Sequence, residues 1–230
     1  MEPVNYVVSV GKACPCACAI MSAGLKEFSC PFDWIVSSPW MVESCIDDGF
    51  KAYLDRSQYY HTPNRHGSYC HHKAYGLGVF NHHCPLHNKE HYAYLQRCVE
   101  RFNTVRNSIG VLYVYMDIVK EPDEWFVSKV QHLQEVLGGR VLGVQCIEGC
   151  AKRQCTVRAD TPGYRAVEVC CKGHNTGVRL SDKKDNDAVA SVLRWYTYDL
   201  KRLDGDKERR VWPYTQKRPW WRKALSCFRT

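Results

Sequence analysis

The sequence predicts an α/β protein with a mainly parallel central sheet flanked by helices. The expected sheet is open and Rossmann-like, with antiparallel additions near the C-terminus. Three observations predict this class. Apolar, β-branched runs at residues 6–10 (YVVSV), 109–115 (IGVLYVY) and 141–147 (VLGVQCI) read as buried strands. Helical periodicity fills the spacing between the last two, and strand–helix–strand succession indicates parallel pairing. Residues 154–158 and 165–171 then read as β-structure about an Asp160-Thr161-Pro162-Gly163 turn.

The elements follow in chain order. The first run breaks at Gly11, and Cys14 follows at once. Residues 14–23 are rich in small residues and helix formers, and Gly24 closes them as a stop. Cys14 thus falls at a helix start, where unpaired N–H groups and the helix dipole favour an anion. Ser38 and Pro39 open a short helix to residue 48, with Trp40, Met41, Val42, Cys45 and Ile46 expected inward, and residues 50–54 add a further turn. Residues 55–76 are polar, aromatic and His-rich, and read as a long loop with a possible extended segment. Residues 77–80 (LGVF) are a short strand. Asn88 caps a helix over 89–107, whose Tyr92, Leu95, Cys98, Val99, Phe102 and Val105 recur at helical spacing. Pro122 opens the next, with Trp125, Phe126, Val130 and Leu133 on one side and Gly138-Gly139 as its stop. A last helix is expected from about 187 to 200. Residues 1–200 are read as a single α/β domain and 201–230 as a tail.

Composition narrows the function classes. The chain has 230 residues, 45% of them hydrophobic, and no apolar run approaches the roughly 20 residues of a membrane span. The first residues lack a basic stretch before their apolar run, so the reading is of a cytoplasmic chain without a secretory signal. Fourteen cysteines in such a chain are expected to be reduced thiols. The net charge of +8 sits almost wholly in residues 201–230, which hold ten Lys and Arg against Asp204, Asp206 and Glu208. With Trp212, Tyr214, Trp220 and Trp221 among them, this tail is read as a possible contact for an acidic surface, lipid or nucleic acid. Cys227 stands fourth from the end, but Arg229 and Thr230 argue against a prenylation signal. No Gly-rich phosphate loop is present, since Gly76-x-Gly78 precedes a strand.

Three chemistries remain open. A cysteine nucleophile needs a base, usually His, distant in sequence and near in space. Eight of the ten histidines lie between His61 and His91, and His82 follows the LGVF strand as Cys14 follows the first strand. If these strands are parallel neighbours, both side chains emerge at one sheet edge. Alternatively, Cys70-His71-His72, His82-His83-Cys84 and His87, with Cys14, Cys16 and Cys18, offer ligands that suit zinc, although no C-x₂-C pair occurs. A non-catalytic α/β binding protein with the basic tail as its anchor is the third reading.

Ser9-Val10-Gly11-Lys12-Ala13-Cys14, then Pro31-Phe32-Asp33-Trp34-Ile35, then Tyr75-Gly76-Leu77-Gly78-Val79-Phe80-Asn81-His82, together resemble the blocks of the putative papain-like cysteine peptidase family. Gln96-Arg97 and the strand at 111–115 extend the likeness over roughly residues 6–147. The resemblance implies Cys14 as nucleophile and His82 as base in acyl transfer from an acyl or peptide substrate, with no cofactor. Asp33 is then the orienting group and Asp117 its rival. Where the family's strand often ends on a basic residue this chain has Tyr115-Met116, and where an acidic residue often follows the His it has His83.

Overall fold

The computed structural model describes residues 2–64, 67–80 and 82–203. Five strands form the main sheet: β1 (Tyr6–Gly11), β5 (Val111–Val119), β6 (Arg140–Ile147), β8 (Tyr164–Cys170) and β7 (Gln154–Asp160), in that spatial order. The first four are mutually parallel, and β7 closes one edge as an antiparallel hairpin with β8. A second, antiparallel sheet joins β2 (Tyr59–Asn64), β3 (Gly67–His72) and β4 (Gly76–Phe80). The expected class holds.

Strand alternation divides the core in two. On one face Val111, Tyr113 and Tyr115 of β5 join Phe32, Phe50 and Phe102. This side receives α2 (Pro39–Asp47), α3 (Lys51–Leu54), α4 (Lys89–Arg106) and α5 (Phe126–Leu137). On the other face Leu112, Val114 and Met116 meet Ile20 of α1 (Cys14–Ser22) and Val189 and Val192 of α6 (Lys183–Leu193). A strand buried on both faces is why residues 111–116 are apolar without a break.

The caps act where the sequence placed them. Ser38 accepts the Met41 N–H at 3.2 Å, and Asn88 accepts those of Glu90 and His91. Gly138 ends α5 in the left-handed conformation.

Four expectations are corrected. Residues 55–76 are mostly a hairpin, in which Tyr59 packs on Phe80 and Tyr92 and the imidazoles stitch the turns. His72 Nδ1 accepts the Ala74 and Tyr75 N–H groups, so its Nε2 donates to Ala52 O at 2.9 Å. Helix α5 begins at Phe126, because Asp123 fixes the preceding turn: it accepts the Trp125 N–H and donates its own N–H to Gln145. Helix α6 stops at Leu193, because residues 197–201 run extended beside residues 4–5, with Val4 N–H to Thr197 O and Asp199 N–H to Val4 O. Trp40 and Trp125 are exposed, at 57% and 65%. The buried stripe of α2 is Met41, Val42 and Cys45, and Trp125 sits outside its helix.

The thirteen cysteines among the described residues are all free thiols. No helix among those residues is long and apolar enough to cross a membrane. The tail reading falls on residues 201–230, of which 204–230 lie outside the described residues.

Candidate active site

Cys14 owes its position to the end of β1. Lys12 donates its backbone N–H to Met116 O at 2.8 Å, which docks the chain on the C-terminal half of β5. Ala13, extended, precedes α1 and supplies no side-chain cap. Cys14 is therefore the first helical residue, just past the carboxyl end of a parallel strand, where ligands bind in open α/β sheets.

Its surroundings are less favourable to a thiolate than its backbone. Cys14 is 5% exposed. Burial pushes the thiol up to about 12, and Cys18, one turn on, adds to the rise. Its own N–H, facing the sulfur, pulls the other way, and Asp33 contributes a smaller rise.

His82 is half-buried, and burial lowers its pKa, so it is a neutral base near pH 7. Two backbone hydrogen bonds tie its region to that of Cys14. Ser37 N–H reaches Lys12 O at 2.8 Å, and Val36 N–H reaches Val79 O at 3.0 Å. Residues 36–37 thus lie between the ends of β1 and β4, which are not the parallel neighbours expected: β1 pairs with β5, and β4 is an edge of the antiparallel sheet. Cys14, Val10 and Phe80 share one buried cluster, and His82 follows Phe80 by two residues.

Asp33 is fully buried. Its Oδ2 accepts Lys26 Nζ at 2.6 Å and the Cys30 N–H at 2.7 Å. Burial still raises its carboxyl above the usual value, with Lys26 the largest opposing influence. Asp117 stands near the end of β5, takes Lys12 Nζ at 3.3 Å, and lies in register with Gln145 on β6. Cys14 and Asp33 therefore sense each other electrostatically, while Asp117 is committed to Lys12.

Sequence reasoning assigns no part in the site to Gln145, Lys12 or Lys26, and names Cys18 only as a zinc ligand. Gln145, 2% exposed, was visible as a polar residue inside the apolar run of 141–147. Lys12 stood two residues before Cys14. Cys18 follows Cys14 at helical spacing, which places both on one face. Lys26 gave no signal, because nothing local reveals that its chain is 1% exposed against Asp33.

The zinc alternative finds no cluster: among the described residues no three His, Cys, Asp or Glu side chains are grouped to hold an ion. His71 and His72 instead accept backbone N–H groups. A cavity of about 660 Å³ lies between α1 and α6 with Cys18 in its wall. Another, of about 440 Å³, opens at the N-terminal ends of β5 and β6, near Gly110 and Arg140.

No curated protein and no solved structure matches the chain. The family model described as putative papain-like cysteine peptidase matches residues 5–137. That match runs from the threshold of β1 to the end of α5, over more than half of the sequence, and the chain belongs to the putative papain-like cysteine peptidase family.

Proposed function

We propose that the chain is a cysteine hydrolase that transfers an acyl group through Cys14, with His82 as the proton acceptor. The carrying observation is the station of Cys14: first residue of a helix, at the carboxyl end of a buried parallel strand, within the matched family region. A thiol near 12 and an imidazole lowered by burial make the resting pair neutral. His82 then takes the thiol proton as sulfur attacks the carbonyl carbon, and no stored thiolate–imidazolium pair is needed. The leaving group departs with that proton, and water, deprotonated by His82, releases the acid.

The oxyanion has few donors to choose from. Pro15 has no N–H, and the Cys16 N–H is spent on Ala13 O. Of the first three helical residues that leaves the Cys14 N–H, which faces its own sulfur in the resting site, to meet the oxyanion. Asp33 disfavours a thiolate at Cys14, which suits a general-base mechanism over a stored ion pair. Its carboxylate is anchored by Lys26 and Cys30, so its part is to hold the site's field in place.

The test is acylation by an activated ester such as 4-nitrophenyl butyrate, with the modified residue located by peptide mass spectrometry. The expected adduct is on Cys14. Cys14→Ser and His82→Ala should each lower turnover by about 100-fold or more. Activity should fall as pH drops through the depressed His82 value below 6.5, because only the neutral ring accepts a proton. Acylation spread over several thiols, or turnover that survives Cys14→Ser, would overturn the assignment.

A non-catalytic binding protein is the second reading, and the burial of Cys14 favours it. It predicts no acyl adduct on Cys14 at all.

A further inference from the structure

The cavity between α1 and α6 has a volume of about 660 Å³, within the range of small-molecule sites. Its lining divides by chemistry. The floor is apolar, with Met116 from β5, Leu180, and Val189 and Ala190 from α6; Met21 of α1 closes one side. The rim is cationic, carrying Arg179, Lys183 and Arg194. Asp187 is the carboxylate among the lining residues, and Lys183 Nζ already holds it at 2.6 Å.

The walls are built independently of any occupant. Asn186 clamps the loop before α6, accepting the Leu180 N–H at 3.1 Å and donating to Leu180 O at 2.8 Å. Arg194 donates through Nε and Nη2 to Ala23 O, joining the end of α6 to the end of α1. Its positive charge stays at the rim. Cys18 lies in the α1 wall, and Arg179 acts on it as a neighbouring cation. An apolar floor below a rim with surplus positive charge selects a ligand with an apolar body and an anionic end.

We propose that this cavity binds a carboxylate bearing an apolar chain, with the chain over Met116 and Leu180 and the carboxylate at Arg179. Pro15, the residue after Cys14, belongs to the same wall. As the acyl pocket of the hydrolase the assignment rests on the acyl-transfer reading, and the substrates it names are esters of apolar-chain acids. As a binding site it stands without that reading.

The chain contains four methionines, which makes methyl NMR a direct test. Met21 and Met116 line the cavity, and Met41 is buried in the opposite core cluster as an internal reference. With ¹³C-methyl methionine in the full chain, octanoate should shift Met21 and Met116 saturably and leave Met41 in place. Arg179→Gln should raise the octanoate Kd about tenfold, the loss expected of a charge-assisted contact. Octyltrimethylammonium, with the same tail and the opposite charge, should not saturate. The titration is repeated in Cys14→Ser protein, so it reads the cavity whether or not Cys14 is a nucleophile. The proposal is overturned if octanoate gives no saturable shift, if the cationic amphiphile shifts both methyls equally, or if Arg179→Gln leaves the Kd unchanged.

Discussion

Lys26 and Asp33 show how a single contact decides a local role. Both are buried, at 1% and 0% side-chain exposure, with 2.6 Å between Nζ and Oδ2. Asp33 Oδ1 has no hydrogen-bond partner among the described residues. The carboxyl remains raised despite its cation and the Cys30 N–H, so desolvation outweighs pairing. Such a pair specifies geometry more than it stabilises. Lys26→Met alone strands the carboxylate and is expected to cost roughly 3–5 kcal/mol in urea unfolding at neutral pH. Lys26→Met combined with Asp33→Leu removes both charges and should recover most of that loss. If the single and double variants are equally destabilised, the pair is not held as an interdependent unit.

At the scale of elements, the junction of β1 and α1 depends on Gly11. Its φ is +124°, and a Cβ there would lie 2.3 Å from Ser37 Oγ. Ser37 cannot withdraw freely, since its N–H bonds Lys12 O and its hydroxyl bonds Val10 O. Gly11→Ala therefore combines a disfavoured backbone with a steric clash, and is expected to cost roughly 1–3 kcal/mol, seen as a lowered Tm. Ser37→Gly added to it should restore the steric part only; a Gly11→Ala protein as stable as the parent would refute this account. The strands and caps around this junction were legible in the sequence because they are local: β-branched runs, Ser38-Pro39, Asn88, Gly138. The hairpin at residues 59–72 was not, because its aromatic and imidazole side chains are buried by partners distant in the chain, such as Phe80 and Ala52. The end of α6 was hidden for the same reason, its continuation being captured by Val4. Of the candidate site, the placing of Cys14 could be read from residues 6–24. Its burial, and the commitment of Asp33 to Lys26, could not, since both are set by tertiary packing.

For the whole molecule, the histidines between β3 and α4 couple stability to pH. His72, His82, His83 and His91 all have pKa values lowered by burial, His83 to about 3. Their ordinary value is 6.5, so the unfolded chain binds more protons than the folded one below that pH. The stability these groups contribute is complete above 6.5 and is lost as pH falls toward their folded values. Asp33, raised from 3.8, works in the opposite direction: its contribution is complete below that value and is lost as pH rises through its folded pKa. His83 dominates the first effect. It stacks on Tyr94 with ring centroids 4.8 Å apart, and charge on His91 or His82 would oppose its own. By pH 5 it alone should remove about 2 kcal/mol relative to pH 7.5. His83→Phe keeps an aromatic ring on Tyr94 and removes the titration. Urea unfolding at pH 7.5 and 5.0 should therefore show a smaller acid loss in that variant, by about 2 kcal/mol. An equal loss in both proteins would mean that His83 can take up its proton while the fold persists, and that the packing between β4 and α4 opens more readily than its burial implies.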